Sequence, residues 1–212
     1  RFKRVKSDIE INQYQTEIYQ DAALYQQIKK IKTTNDIDAK YRQDILNDFE
    51  EMGIQLSKDQ QARLKIILDN LTKIEQEFAR NIRDNPEKVE FSADELRGLP
   101  NSYIANLKKN EQGQYLLGFD YPEYLPFMQL ADSDDARKRY QIAYTRRGTE
   151  KNLVLLKQAI DLRYELAQLF GYKSYADWKL KNRMAQNPET VNQFLNEVHN
   201  IVKKKKKKEV QT

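Results

Sequence analysis

The stretch SKDQQARLKIILDNLTKIEQEFARNIRDNP, residues 57–86, decides the fold of this chain. Ser57 and Gln60 form a capping box at its start, and the pair Asn85 and Pro86 stops it. Between these signals, apolar residues recur every three or four positions, which is the periodicity of one helix face. They are Leu64, Ile67, Leu71, Ile74, Phe78 and Ile82. The stretch therefore predicts a long helix whose apolar face other helices must cover.

Two helices are predicted upstream of this stretch. The first is one long helix, with Ile11, Tyr14, Ile18, Ala22, Tyr25 and Ile28 on a single face. The second carries Ile37, Tyr41, Ile45, Phe49 and Met52. It is expected to end at Gly53 in a left-handed cap with Ile54 behind it. Because few residues separate Gly53 from Ser57, we expect the second and third helices to pack antiparallel.

The helical pattern breaks up between Pro86 and Pro126. Ser92 and Glu95 form another capping box, for a short helix that ends at Gly98. Residues 114–120 form the only segment predicted as a strand, at a sheet edge or in a hairpin.

Four helices are predicted after the cap region at residues 132–134. The first two end in glycines, Gly148 and Gly171, and their apolar positions are Tyr140, Ala143 and Tyr144, then Leu153, Leu156, Ile160, Tyr164 and Ala167. The third begins at Ser174 with Asp177, and it contains Trp178. The last begins at Asn187 and Pro188, and it carries Val191, Phe194, Val198 and Ile201.

The predicted fold class is mainly all-α: a multi-helix antiparallel lobe with at most one short β-hairpin or strand near residues 114–120. We expect one lobe over residues 1–212. Within it, residues 1–85 would form long helical hairpins, and residues 86–212 a mixed segment followed by helices.

The charge of the chain does not favour a nucleic-acid partner. The net charge is +5, but Lys203 to Lys208 supply six positive charges. Without them, 31 basic residues face 32 acidic ones, so no basic stripe is left to follow a phosphate backbone. We interpret the lysine run as the solvated part of a helix.

The sequence also gives no sign of a membrane segment. No window approaches eighteen apolar residues, and the start from Arg1 to Arg4 lacks the apolar core of a secretory signal. The absence of cysteine fits a reducing cytoplasm, which is the expected location. Because the first residue is Arg1 rather than Met, we expect the chain to be part of a longer protein.

No catalytic residue and no metal ligand can be assigned. His199 is the single histidine, and it completes no H-E-x-x-H pattern. The carboxylate pairs Asp134 with Asp135 and Glu50 with Glu51 are interpreted as solvated. The aromatic residues Tyr140, Tyr144, Tyr164 and Trp178 are interpreted as core. Substrate-binding residues stay unknown at this stage.

Several ordered motifs resemble those of one peptidase family. The segment DELRGLP, residues 94–100, resembles the E-L-x-G-L-P signature of the M3 oligopeptidases. Other segments are similar to the family's patterns F-x-x-x-G-x-x-L, D-x-P-x-Y-x-P-V-M, R-x-x-x-x-x-A-Y-x-x-R and L-R-x-E-x-A-x-L-L-G-Y, in the same order. They are residues 49–56, 120–128, 137–147 and 162–172.

The resemblance implies a zinc endopeptidase that cuts short peptides inside a narrow channel between two largely helical lobes. The zinc would be held by an H-E-x-x-H helix and a later glutamate, and this sequence contains no such helix. The chain is therefore expected to be the N-terminal channel-wall lobe of a longer zinc metalloendopeptidase. This fragment would be inactive and free of cofactor, and the zinc would belong to the parent. The expected partners are short peptides and the missing C-terminal catalytic lobe, with exposed apolar surface where that lobe docks.

Two alternatives stay open. The chain could be a non-enzymatic helical module that binds a peptide or protein. The run from Lys203 to Lys208 could also contact a membrane surface or a nucleic acid, which predicts binding that weakens steeply with salt.

Overall fold

The computed structural model describes residue 11 and residues 14–210, with side chains as far as Lys206. The start at Arg1 to Arg4 and the side chains of Lys207 and Lys208 lie outside the described part. The helices are α1 (Ala22–Lys30), α2 (Asp36–Glu51), α3 (Lys58–Arg83), α4 (Asn101–Ile104), α5 (Tyr121–Leu130), α6 (Asp134–Thr145), α7 (Thr149–Leu169), α8 (Tyr175–Leu180) and α9 (Pro188–Val210). Residues 14–19 are also helical, and Asp94–Leu96 form a 3₁₀ turn. The mainly all-α prediction is confirmed.

The described residues contain one small antiparallel sheet. Its strands are β1 (Val89–Phe91), β2 (Lys108–Lys109) and β3 (Tyr115–Leu117), in the order β1-β3-β2. Val89 is paired with Leu117, and Lys108 with Leu116. The strand expected within residues 114–120 is present as β3. The sheet is larger than a single hairpin, because β1 pairs with the other edge of β3. The strand β1 is only three residues long, and its Val-Glu-Phe alternation is too short to predict a strand.

The chain folds into two compact units. Unit 1 comprises residues 1–74 and 157–212, and unit 2 comprises residues 75–156. The boundaries fall within α3 and α7. The division at residue 85 expected from the sequence differs from this one because the chain returns to unit 1 after residue 156.

Two apolar clusters make the core of unit 1. The larger one joins α3, α7 and α8, through Leu64, Ile67, Leu71, Ala159, Leu166, Ala167 and Trp178. The smaller one joins α1 and α2, through Tyr25, Leu46 and Phe49. The ring of Phe49 contacts those of Tyr19 and Tyr25, with centroids 5.1 and 5.5 Å away.

Unit 2 has a separate core in which the small sheet is covered by α5 and α6. Its buried members are Phe91, Leu96, Leu99, Leu117, Phe127, Ala131, Ala136 and Tyr140. The ring of Tyr140 lies edge-on to those of Phe91 and Phe127, at centroid distances of 5.3 and 5.0 Å. Such edge-to-face pairs add to the stabilisation that burial of the rings provides.

The first predicted helix is interrupted, so the expectation of one long helix was wrong. The side chain of Asp21 accepts hydrogen bonds from the backbone N–H groups of Ala23 and Leu24, at 2.8 and 3.0 Å. Asp21 is therefore the N-cap of a new helix, α1, and the apolar periodicity continues across the break. No cap was predicted at Asp21.

The buried face of α7 was also predicted wrongly. Of the expected core positions, Leu153, Leu156, Ile160 and Tyr164 are exposed. The buried positions are Asn152, Leu155, Ala159, Leu166 and Ala167. Residues 153–156 are apolar without interruption, so the spacing alone does not say which of two adjacent faces packs inward.

Candidate functional site

The residues that match the E-L-x-G-L-P pattern build a tight turn in unit 2. Glu95 accepts a hydrogen bond from the backbone N–H of Ser92 at 2.8 Å and forms an ion pair with Arg139 at 3.0 Å. Gly98 has a φ of +89°, and a Cβ atom there would overlap the carbonyl oxygen of Leu130. The motif therefore has an architectural role, since it brings the backbone close to the end of α5.

The residues that match the D-x-P-x-Y pattern support the end of β3. The hydroxyls of Tyr103 and Tyr140 donate to the carbonyl oxygens of Glu123 and Gly118, and the Glu123 carboxylate accepts from the N–H of Gly118. Burial raises the pKa of Tyr103 and of Tyr140 well above the usual value. Both hydroxyls therefore stay protonated near neutral pH and act as donors.

The A-Y-x-x-R match forms a layered stack. The Arg147 guanidinium lies 3.7 Å from the centroid of the Tyr144 ring, and its Nε donates to the Tyr144 carbonyl at 2.8 Å. The Tyr144 ring stacks in turn on Tyr124, at a centroid distance of 3.8 Å. Cation–π and stacking contacts of this kind fix the three side chains in place.

The L-R-x-E match supplies a bidentate ion pair inside unit 1. Arg63 of α3 donates from Nε and Nη2 to the two carboxylate oxygens of Glu165 on α7, at 2.5 and 2.7 Å. Hydrogen bonding from Arg63 holds the pKa of Glu165 below its usual value. The pair stiffens the contact between two long helices.

Unit 2 contains an open cleft of about 860 Å³ between the end of α3, α6 and the start of α7. Seven of its lining side chains are charged: Arg80, Asp84, Glu87, Arg139, Arg146, Glu150 and Lys151. A hydrogen bond between the half-buried Asn81 and the buried Asn152 joins two of the elements that form the cleft. No site was predicted at these residues, because they come from separate segments of the sequence and match no motif.

The lining of this cleft mixes charged, amide and apolar side chains. Its lining holds no histidine and no cysteine, so it offers no imidazole base and no thiol nucleophile. Its guanidinium, carboxylate and amide groups can donate and accept hydrogen bonds.

The other polar residues singled out from the sequence are held in local contacts. Glu50 accepts from the Tyr25 hydroxyl at 3.2 Å, and Glu51 forms an ion pair with Lys179 at 3.2 Å. Asp134 pairs with Arg137. Among residue 11 and residues 14–210, no three histidine, cysteine, aspartate or glutamate side chains are grouped as a metal site would require.

The aromatic residues divide into two groups. Tyr140 and Trp178 are buried and Tyr144 is half-buried, as the core interpretation expected. Tyr164 is 57% exposed, so that interpretation was wrong for this residue. The cause is the same as for the other exposed positions of α7: the apolar spacing does not say which face of the helix packs inward.

One exposed apolar surface lies on α9. Its apolar residues Phe194, Leu195, Val198, Ile201 and Val202 are all exposed, Phe194 by 61% and Ile201 by 68%. His199 is exposed on the same helix. We call these five apolar residues the α9 stripe. The periodicity of these residues is visible in the sequence. Their exposure in the described part of this unit is visible only in the structure.

None of the helices in the described part of the chain combines the length and apolarity that crossing a bilayer requires.

The comparisons with known proteins agree on one family. The model of peptidase family M3 matches residues 127–212. The chain is 31% identical over 209 residues to oligopeptidase A of Salmonella typhimurium, an alignment that covers 89% of this chain and 31% of that protein. It is 30% identical to the thimet-like oligopeptidase of Dictyostelium discoideum and to saccharolysin of Saccharomyces cerevisiae, over 73% and 75% of this chain and 23% of each relative. The chain thus spans less than a third of the length of these relatives.

The matches cover most of the chain, and the motifs that resemble the family's patterns hold together turns and helix pairs in both units. The chain belongs to peptidase family M3.

Proposed function

We propose that this chain is the non-catalytic N-terminal lobe of an M3 zinc oligopeptidase, and that it walls the channel through which short peptides reach the catalytic lobe. The observation that carries the proposal is the alignment with oligopeptidase A, which takes in 89% of this chain and only 31% of the relative. The work of cutting would fall to the remaining part of the parent protein.

The contacts within each unit support a rigid wall. In unit 1, α3 and α7 share an apolar core and the bidentate pair between Arg63 and Glu165. In unit 2, the hydroxyl of Tyr140 on α6 donates to the carbonyl of Gly118, the residue that follows β3. Stiff walls exclude folded proteins from a narrow passage, so substrate selection by size follows from the packing of such a lobe.

The residues of this chain do not fit a zinc site. Zinc in a peptidase requires three protein ligands, usually histidine and glutamate, around an open position. The chain has one histidine, His199, and the described residues contain no cluster of candidate ligands. We therefore assign the zinc to the parent outside these 212 residues. A cytoplasmic location is part of the same proposal, and the absence of cysteine supports it.

The first test is the coding sequence beyond the codon for Thr212. We expect an H-E-x-x-H helix in the same reading frame. The full polypeptide should hydrolyse a short fluorogenic peptide and should lose that activity when a chelator is added. It should not cleave a folded protein. The 212-residue chain should bind no stoichiometric zinc and hydrolyse nothing.

Two results would contradict the proposal. One is chelator-sensitive peptide hydrolysis by the 212-residue chain itself. The other is a reading frame that closes soon after Thr212 without a paired-histidine helix.

That second result would favour another function, a helical module that binds a peptide or protein. The exposed α9 stripe is the observation that favours it. The peptidase lobe predicts an H-E-x-x-H helix in the reading frame after Thr212, whereas the binding module predicts a frame that closes without one.

A further inference from the structure

Most charged side chains of the cleft in unit 2 have no partner among the described residues. Two of the charged residues that line it are paired, Arg139 with Glu95 and Asp84 with Arg83, each at 3.0 Å. In the described part of the chain, the side chains of the other five form no ion pair and no hydrogen bond. They are the cations Arg80, Arg146 and Lys151 and the anions Glu87 and Glu150. The unpaired groups therefore carry an excess of positive charge.

The backbone that carries two of these cations is held in place. Arg80 and Lys151 are each the chain neighbour of an asparagine. These asparagines, Asn81 and Asn152, are joined by a hydrogen bond of 2.9 Å. Gly148 adds a close approach, since a Cβ atom there would lie 3.1 Å from the Asn81 carbonyl oxygen. The end of α3 and the start of α7 are thus in contact at the cleft, and such pre-formed clefts are typical of small-molecule sites.

The unpaired groups specify the ligand groups that would complement them. Guanidinium and ammonium groups only donate hydrogen bonds, whereas ionised carboxylates only accept them. A complementary ligand therefore has an oxyanion for the three cations and hydroxyl or amino groups for the two carboxylates. Pro86, Ile142 and Ala143 add an apolar part to the lining. A ligand with an apolar ring system would cover that part as well.

Phosphate matches the three cations better than carboxylate does. A phosphate monoester carries a charge of about −1.5 to −2 near neutral pH and has three strong acceptor oxygens. A carboxylate has a single negative charge, shared between its two oxygens. Arginine binds phosphate through two parallel N–H donors, and the cleft has unpaired arginines on two elements, Arg80 on α3 and Arg146 directly after α6. One phosphate has enough oxygens to accept from both.

We propose that the cleft of unit 2 binds a phosphorylated small molecule of nucleotide size. Its phosphate would contact the three unpaired cations, its sugar hydroxyls would donate to the unpaired carboxylates, and its base would pack on the apolar part of the lining. The volume of about 860 Å³ is within the range of small-molecule sites. The proposal does not depend on the proposed function, because it uses only residues 80–151 and requires no catalytic lobe.

The experiment is isothermal titration calorimetry of the 212-residue chain with adenosine monophosphate. We expect saturable binding to one site, weakened by added salt. Adenosine, the same molecule without its phosphate, should bind about ten-fold more weakly or worse. Ribose 5-phosphate and inorganic phosphate should both bind more weakly than adenosine monophosphate, because they lack the base.

The double substitution Arg80→Gln with Arg146→Gln should weaken adenosine monophosphate by about ten-fold or more and leave adenosine unchanged. Neither side chain has a partner in the described chain, so thermal unfolding of the variant should match wild type. The matched control is Arg97→Gln with Lys108→Gln, which removes the same charge from exposed positions of unit 2 outside the cleft. This control should bind adenosine monophosphate as wild type does.

The carboxylates are tested by Glu87→Ala with Glu150→Ala. Removal of two negative charges should strengthen the binding of inorganic phosphate, because repulsion is lost. The advantage of adenosine monophosphate over inorganic phosphate should shrink, because the sugar hydroxyls lose their acceptors. An unchanged ratio of the two affinities would contradict the contact between sugar and carboxylates.

Three outcomes would overturn the proposal. One is the absence of saturable binding at millimolar adenosine monophosphate. Another is an equal loss of affinity in the control variant, which would show diffuse attraction by charge. The third is binding of the dipeptide glycylglycine in place of the nucleotide, which would identify a site for zwitterions. Zinc content and peptide hydrolysis test the proposed function separately, so each can fail without the other.

Discussion

Asn81 and Asn152 are joined by a hydrogen bond of 2.9 Å, and the same Asn152 amide donates to the carbonyl of Phe78 at 3.1 Å. Asn152 is buried, so one side chain satisfies polar groups at two positions of α3. The substitution Asn152→Ala should lower the free energy of unfolding by about 1–3 kcal/mol, because Asn81 and Phe78 lose a partner. Urea denaturation measures the change, and Asn192→Ala, on the exposed part of α9, should have almost no effect. Equal midpoints for Asn152→Ala and wild type would contradict this role.

Gly98 and Gly113 provide a matched comparison of backbone strain and steric overlap. Both have positive φ angles, +89° and +81°, but a Cβ at Gly113 meets nothing within 4 Å. At Gly98 it would also lie 2.7 Å from the Asp132 carboxylate. Gly113→Ala should therefore destabilise by about 1–2 kcal/mol through strain alone. Gly98→Ala should destabilise clearly more, and similar losses in thermal unfolding would show that the turn relaxes around the methyl group.

The ion pair of Glu165 with Arg63 should make stability depend on pH in the acidic range. The pKa of Glu165 is lower in the folded chain than its usual value, because Arg63 donates to the charged carboxylate. The stabilisation is therefore present above the unfolded pKa and is lost as the pH falls through the folded pKa. Glu165→Gln should reduce the urea midpoint at neutral pH, and its difference from wild type should shrink in acid. Asp161→Asn, in the exposed pair with Lys157, is the control that should show little change. A difference that is constant with pH would contradict the assignment.

Tyr140 should produce the opposite dependence in alkali. Burial raises its pKa above the usual 10.0, so its contribution is complete below that value and is lost as the pH rises through the folded pKa. Tyr140→Phe should cost about 1 kcal/mol near neutral pH, because the Gly118 carbonyl loses its donor. The gap in unfolding midpoint between the variant and wild type should narrow at strongly alkaline pH. Tyr164→Phe, at an exposed hydroxyl, should leave the midpoint unchanged throughout.

Local signals predicted the ends of elements well. Ser57 and Gln60 exchange hydrogen bonds of 3.1 and 3.3 Å, as a capping box requires. Gly53 has a φ of +84°, and the N–H of Ile54 bonds to the carbonyl of Phe49, which closes the expected left-handed cap. Asn187 accepts from the N–H of Thr190 at 2.8 Å. Each of these features depends on residues within six positions of one another, so a single sequence contains the whole signal.

The choice of the buried face was predicted less well, because it depends on residues distant in sequence. Leu155 packs inward and Leu156 outward, although both are leucines of the same helix. The cleft in unit 2 was not predicted for the same reason. Two of its lining residues, Arg80 and Lys151, are far apart in the sequence. On α9 the apolar spacing was recognised correctly, and only the packing shows that it faces solvent.

The exposed part of α9 also determines where proteases cut the 212-residue chain first. A helix whose side chains are exposed can open without unfolding the core from which it extends, and trypsin cleaves open segments after lysine. The polypeptide should therefore be trimmed first at Lys203 to Lys206, while Lys179, held between Glu51 and the ring of Trp178, is cut late. Whatever covers the helix would act at the same time as its shield against proteolysis.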